Sequence, residues 1–186
     1  MKKAIFFDKD GTLIENIPFN VESEKIKFNP GAIELIRALK GDFDFHIITN
    51  QAGIAFGHFE EFELKAVKNK MQELFEAAGA KLSGFHYCPH HPEGQVKNYA
   101  KNCLCRKPGT KLIEDAANQF NIDLAQSWLI GDILDDIEAG NRSGMRTILL
   151  NVGNETEWDL NKLRTPHHLI NQLEEALPLI KESDYG

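Results

Sequence analysis

The sequence predicts an α/β fold, a doubly wound and mostly parallel sheet with helices on both faces. Short, continuously apolar runs recur along the chain, as strands buried on both faces require. Amphipathic stretches long enough for helices lie between them. The two kinds alternate, strand then helix, over most of the length. At 186 residues, 42% of them hydrophobic and 26% charged, the chain has the size and composition of one soluble domain with one core, so residues 1–186 are read as a single domain.

The first strand is Ala4 to Phe7, four apolar residues closed by Asp8. Glu15 to Asn29 has neither period and is read as a loop with room for a short hairpin. Pro30 to Lys40 is amphipathic with its proline in the first turn, where the missing N–H costs nothing. Phe45 to Ile48 is the second strand, Glu60 to Ala78 the next helix and Gly84 to Tyr87 the third strand. His90 to Lys107 is polar and irregular, and a loop of that length in a small domain needs a purpose or a staple. Lys111 to Phe120, Trp128 to Ile130, Asp135 to Gly144, Thr147 to Leu150 and Gln172 to Lys181 complete the alternation, and Glu182 to Gly186 is expected to fray.

Charge and cysteine usage narrow the function. Lys+Arg 21 against Asp+Glu 28 gives a formal charge of −7, and no basic stripe offers the footprint that nucleic acid needs. The N-terminal apolar stretch stops at Asp8 with no cleavage site after it, and no apolar run is long enough to span a bilayer. The expectation is a cytoplasmic protein, a monomer, with no membrane or nucleic-acid partner. In a reducing compartment three cysteines suggest a metal rather than a disulfide framework.

Polar residues gather where the strands end. Asp8-Lys9-Asp10-Gly11-Thr12 follows the first strand, Thr49-Asn50-Gln51 the second, and Gly131-Asp132 the fourth, with Asp135 and Asp136 just beyond. In a doubly wound sheet these ends converge on one edge, where ligands bind. Asp-Gly is also a common turn dipeptide, but three acidic or polar strand ends together call for a hard cation, and Mg²⁺ with a phosphate suits few carboxylate ligands.

Asp8-Lys9-Asp10-Gly11-Thr12, Thr49-Asn50, Lys107-Pro108, and Gly131-Asp132 with Asp136 resemble, in that order, the four motifs of the haloacid dehalogenase (HAD) superfamily of phosphotransferases. Thr49 to Ile54 (TNQAGI), Cys88 to Pro92 (CPHHP) and Cys103 to Pro108 (CLCRKP) are similar to the branch that holds heptose bisphosphate phosphatases and histidinol phosphatases. The resemblance implies a Mg²⁺-dependent phosphomonoesterase acting on a small sugar phosphate, foremost D-glycero-D-manno-heptose 1,7-bisphosphate, with histidinol phosphate as the alternative. It implies Asp8 as nucleophile and Asp10 as general acid and base. Asp8, the Asp10 carbonyl and Asp132 would hold Mg²⁺, with Asp136 or Asp135 acting from behind them. Thr49 and Lys107 would steady the phosphoryl group. Lys9, Asn50, Gln51, Ala52 and Arg106 would join Asp8, Asp10 and Lys107 in binding substrate, Arg106 by forking onto a second phosphate or a sugar hydroxyl. The chain departs from that branch at Phe56 and Ile133, where the branch tends to carry arginine and lysine, and in the loop Ile17-Pro18-Phe19-Asn20, which lies where it could touch the substrate.

Cys88, His90, Cys103 and Cys105 make a closed tetrahedral set for Zn²⁺, three thiolates and one imidazole with no position left for water. All three cysteines fall within eighteen residues, so a structural zinc is expected to staple residues 88–107. His91 could replace His90, but the branch places its ligand two residues after the first cysteine, which selects His90. Only thirty-six residues separate Thr12 from Thr49, too few for a large cap domain, so an open site is expected. A signalling receiver domain also combines an acceptor Asp, an acidic pair, a Thr and a Lys, but carries its acidic pair on the first strand and needs no zinc loop. A zinc-stapled binding module would not need Asp8, Asp10, Lys107 and Asp132 together.

Overall fold

A computed structural model of the chain describes residues 1–184. All four residues of β1 (Ala4–Phe7) are fully buried, and they divide between two cores because side chains alternate across a strand. Ile5 and Phe7 pack with Leu35, Ile36 and Leu39 of α1 (Ala32–Leu39) and with Val67, Met71 and Phe75 of α3 (Leu64–Ala77). Ala4 and Phe6 pack on the opposite side with Ile113 and Ala116 of α4 (Lys111–Phe120) and Ala139 of α5 (Leu134–Arg142). A strand flanked by two helical layers must be apolar at every position, which is why the run was continuous in the sequence.

The remaining elements are β2 (Asp44–Asn50), the short α2 (Gly53–Phe56), β3 (Leu82–Cys88), β4 (Trp128–Gly131), β5 (Arg146–Leu150), β6 (His168–Ile170) and α6 (Ala176–Asp184). The six strands form one parallel sheet in the order β3-β2-β1-β4-β5-β6. The order reverses beside β1, so the ends of β1 and β4 open a crevice between them. Phe7 lies level with Ile47 on one side and Ile130 on the other, and Asp8 N donates to Ile130 O at 2.9 Å. The residues that follow these three strands are therefore held side by side. No helical domain is inserted between Thr12 and Thr49.

The differences from the sequence expectation lie at weak local signals. β6 was missed because its three residues, at the sheet edge, alternate only partly in burial. α2 was missed because it is one turn long and begins with glycine. Between Glu15 and Asn29 there is a 3₁₀ turn at Ser23–Lys25 and an isolated bridge from Ile14 to Phe28, not a hairpin. α6 continues to Asp184 through part of the segment expected to fray, and the rest of that segment, Tyr185 and Gly186, lies outside the described residues.

A titratable imidazole lies within the apolar packing of the sheet. His46 on β2 is fully buried, 5.1 Å from the Phe6 ring and 4.8 Å from Phe120, with Nδ1 3.3 Å from His86 Nε2. Burial, reinforced by His86, holds its pKa down at about 4. The folded chain thus carries a neutral imidazole that the unfolded chain protonates near pH 6.5. Its contribution is fully present above pH 6.5 and is lost as pH falls toward 4. Urea unfolding from pH 7 to pH 4 should show wild type losing roughly 3 kcal/mol more than His46→Phe, the equivalent of the depressed pKa. Parallel pH profiles would contradict this.

Candidate active site

The loop after β1 is wound tightly enough to aim successive side chains into the crevice. Lys9 O accepts from both Leu13 N and Ile14 N at 3.1 Å, and Gly11 N donates to Ile14 O at 2.8 Å. Gly11 has φ of +92°, and a Cβ there would come within 2.2 Å of Asp132 Oδ2 and 2.5 Å of Asn154 Nδ2. Glycine is required both by the dihedral and by the approach of the two side chains.

Three buried carboxylates meet at the ends of β1 and β4. Oxygens of Asp8, Asp132 and Asp136 lie within 4.8 Å of one another. Lys107 Nζ, only 2% exposed, is 2.6 Å from Asp8 Oδ1 and 2.5 Å from Asp136 Oδ1, and donates to Ile48 O at 3.1 Å. The other oxygen of Asp136, Oδ2, accepts from Asp132 N and Ile133 N at the start of α5. Asp132 accepts from Thr12 Oγ1 at 3.1 Å and from Asn154 Nδ2 at 2.7 Å. Asp135 instead points to Arg164, at 3.1 Å, so Asp136 is the member of the pair that belongs to the cluster.

The charges do not balance. Burial, then the neighbouring Asp136, Asp132 and Asp10, drive the Asp8 pKa well above its ordinary value against the pull of Lys107. Burial and Asp136 raise that of Asp132 to about 6. Although burial opposes it, the field of Asp136 and Asp8 pushes the Lys107 pKa up. One ammonium facing three carboxylates leaves room for a divalent cation, and Asp8 Oδ2 has no partner among the described residues. The donor set fits a hard metal.

Asp10 is oriented by two neighbours. Its Oδ1 is 2.6 Å from Lys9 Nζ, and its Oδ2 accepts from Gln51 Nε2 at 3.1 Å. Gln51 Nε2 also donates to Thr49 Oγ1 at 2.8 Å, which leaves the Thr49 hydroxyl proton free for a ligand. Lys9 is only 1% exposed. Asn50 clamps the Lys107 backbone, donating to Lys107 O at 3.2 Å and accepting from Lys107 N at 3.0 Å. These groups surround a cleft of about 410 Å³, lined also by Ala52, Gly53, Asn16, Phe19, Ile133 and Asn154.

The structure thus brings Asp8, Lys9, Asp10, Thr49, Asn50, Gln51, Ala52, Lys107 and Asp132 to one cleft. It does not bring Arg106 there. Arg106 is half-buried outside the lining, with Nη1 enclosed and unpartnered. Sequence reasoning missed Asn154, whereas the loop Ile17 to Asn20, flagged as able to touch the substrate, does line the cleft. Asn154 had a signal, since it follows β5 at the same edge.

The cysteines form a second cluster beside the cleft. Cys88 Sγ lies 3.5 Å from Cys103 Sγ, 2.8 Å from Cys105 Sγ and 3.7 Å from His90 Nδ1. Cys103 and Cys105 are 3.4 Å apart, and His90 Nδ1 is 3.3 Å from Cys105 Sγ. The edges of a Zn²⁺ tetrahedron with zinc–sulfur bonds of about 2.3 Å are close to ~3.8 Å, so a small expansion admits the ion. His91 is excluded, since its ring packs 4.7 Å from Phe56 and accepts from Glu93 N. Cys103 Sγ accepts from Arg106 N, tying the cluster to the residue before Lys107.

The sequence model of the HAD-hydrolase-like family matches residues 104–176. The D-glycero-β-D-manno-heptose-1,7-bisphosphate 7-phosphatase of Yersinia pestis is 34% identical over 170 residues, covering 86% of this chain and 90% of that protein. That of Pasteurella multocida is 34% identical over 183 residues, covering 97% and 98%. The crystal structure of D,D-heptose 1,7-bisphosphate phosphatase from B. bronchiseptica, complexed with magnesium and phosphate, superposes with a TM-score of 0.81 at 26% identity, covering 97% of this chain and 99% of that one. With identity at that level over nearly the whole length, the chain belongs to the HAD-like phosphatases, in the family of the heptose-bisphosphate 7-phosphatases.

Proposed function

We propose that this phosphatase removes the 7-phosphate of D-glycero-D-manno-heptose 1,7-bisphosphate through an aspartyl-phosphate on Asp8. The observation that carries the reading is the convergence of Asp8, Asp10 and Asp132 on one cleft with Lys107 buried between Asp8 and Asp136, in a chain 34% identical to phosphatases of that substrate.

The chemistry follows from the contacts. Lys107 holds Asp8 by Oδ1, and the Asp8 carboxylate so oriented attacks phosphorus in line as the ester P–O bond breaks. Asp10, steadied by Lys9 and Gln51, protonates the departing alcohol. It then takes a proton from the water that attacks phosphorus and releases Asp8. Thr49 donates its hydroxyl proton to a phosphoryl oxygen, and Asn50 acts through Lys107 by fixing its backbone. Asp8, the Asp10 carbonyl and Asp132 would hold Mg²⁺, which supplies positive charge for the phosphoryl oxygens. Cys88, His90, Cys103 and Cys105 would hold a structural Zn²⁺ that fixes the approach to Lys107.

A second phosphate meets little positive charge. Lys9 and Lys107 are the cations lining the cleft, and both are paired with carboxylates; Phe56 and Ile133 stand where related enzymes tend to carry basic residues. The distal phosphate should therefore add less to binding than a charged pocket would provide.

Three measurements test the reading. Mg²⁺ should raise the melting temperature of wild type by several degrees, because it relieves repulsion among buried carboxylates, and should leave that of Asp132→Asn almost unchanged; equal shifts would place the ion elsewhere. Purified protein should contain about one zinc per chain, and Cys103→Ser should lose it together with thermal stability; a zinc-free wild type of equal stability would remove the staple. Asp8→Asn should fold yet lose at least about 10³-fold in phosphate release, while wild type should have its highest kcat/KM for the heptose bisphosphate among that compound, a simple sugar monophosphate and histidinol phosphate. Histidinol phosphate as the best substrate would overturn the substrate assignment.

A further inference from the structure

Ile17-Pro18-Phe19-Asn20 closes a turn through Asn20 N donating to Ile17 O at 3.2 Å. Proline suits the second position of such a turn, and the third, with positive φ, ordinarily takes glycine or asparagine. Here the third residue is Phe19, with φ of +56°. A bulky side chain is costly in that region and persists only where its surroundings impose it. Asn20 braces the turn by donating to Glu22 O and accepting from Glu22 N. His58 stacks on one face of the ring, 4.0 Å between centroids and 17° between planes. Gly53 lies beneath, where a Cβ would come within 2.9 Å of Phe19 Cδ1.

None of this buries the ring. Phe19 remains 48% exposed and lines the cleft that contains Asp8 and Asp10. An apolar ring held at a conformational cost, supported from behind and left open toward the cleft, gains nothing for the core. Asp10 protonates the departing alcohol in the proposed mechanism, so the leaving group must lie beside Asp10, in the cleft whose lining includes Phe19. The other groups there, Asn16, Gln51, Ala52 and Ile133, bring no further cation.

We infer that Phe19 is a specificity-determining residue whose ring packs on the C–H face of the sugar in the leaving group. It selects a cyclic polyol by shape and apolar contact, independently of any second phosphate. The inference rests on the phosphatase reading above.

The test uses full-length Phe19→Gly and Phe19→Asn, which remove the ring but suit the turn, and Phe19→Trp, which restores an aromatic face. The melting temperatures of the glycine and asparagine variants should equal or exceed that of wild type. Their kcat/KM for heptose 1,7-bisphosphate should fall about tenfold, the scale of one aromatic contact, mainly through a higher KM. The loss on a heptose monophosphate should match it. The loss on glycerol phosphate, which has no ring to stack, should be at least about fivefold smaller by the same contact scale, and Phe19→Trp should recover most of the sugar activity. Equal losses on sugar and glycerol phosphates, or none on the sugars, would overturn this inference and leave the phosphatase reading intact. A wild type inactive on every sugar phosphate would overturn both.

Discussion

The site depends on one buried ammonium. Lys107 Nζ sits between Asp8 and Asp136 and reaches the carbonyl of Ile48, so a single group ties together the ends of β1, β2 and the start of α5. Burying an ion costs several kcal/mol, and it is offset here by hydrogen bonds to Asp8 and to the Ile48 carbonyl and by the ion pair with Asp136. Removing it would strand buried carboxylates, a loss of about 3–5 kcal/mol by the usual cost of breaking such a pair. The same contact orients Asp8, the proposed nucleophile, so stability and the proposed catalysis draw on one geometry.

Lys107 is placed from a distance by the polar loop that precedes it. Asn50 holds its backbone N–H and carbonyl, while Cys103 Sγ accepts from Arg106 N. Tyr87 and Tyr99 both donate to Glu61, at 2.8 and 2.6 Å, which fastens the loop to the turn before α3. The two metal sets thus divide the work. The carboxylate set is left short of positive charge, which suits a cation that takes part in chemistry. The thiol and imidazole set offers four ligand atoms of its own, and in the proposed reading it would hold a loop that has no regular structure.

How far this was legible in the sequence follows from the range of each signal. The central strands could be read because each is buried on both faces and hence continuously apolar, whereas three-residue β6 at the edge carries too little pattern. The family motifs pointed to the carboxylates, the lysine and the zinc ligands, and the geometry gathers them. Finer roles needed coordinates. Asp135 and Asp136 are adjacent in sequence, yet only the third residue of α5 can reach back to the N–H groups of Asp132 and Ile133. Lys9, of a type almost never buried, is enclosed against Asp10, and Arg106 is half-buried outside the lining of the cleft.

The cleft's remaining surface explains why so small a chain needs no cap domain. Its inner end is enclosed by the sheet, with Asp8, Lys107 and Asp132 each under 10% exposed, so the groups proposed to react are already shielded from bulk water. Its outer end is formed by the turn bearing Phe19 and by α2, both anchored within the same domain. Selection among alcohols can then be made by fixed side chains at the mouth instead of by a lid. A rigid mouth gives up some enclosure of the substrate, but it avoids the ordering cost that a closing segment would incur at every turnover.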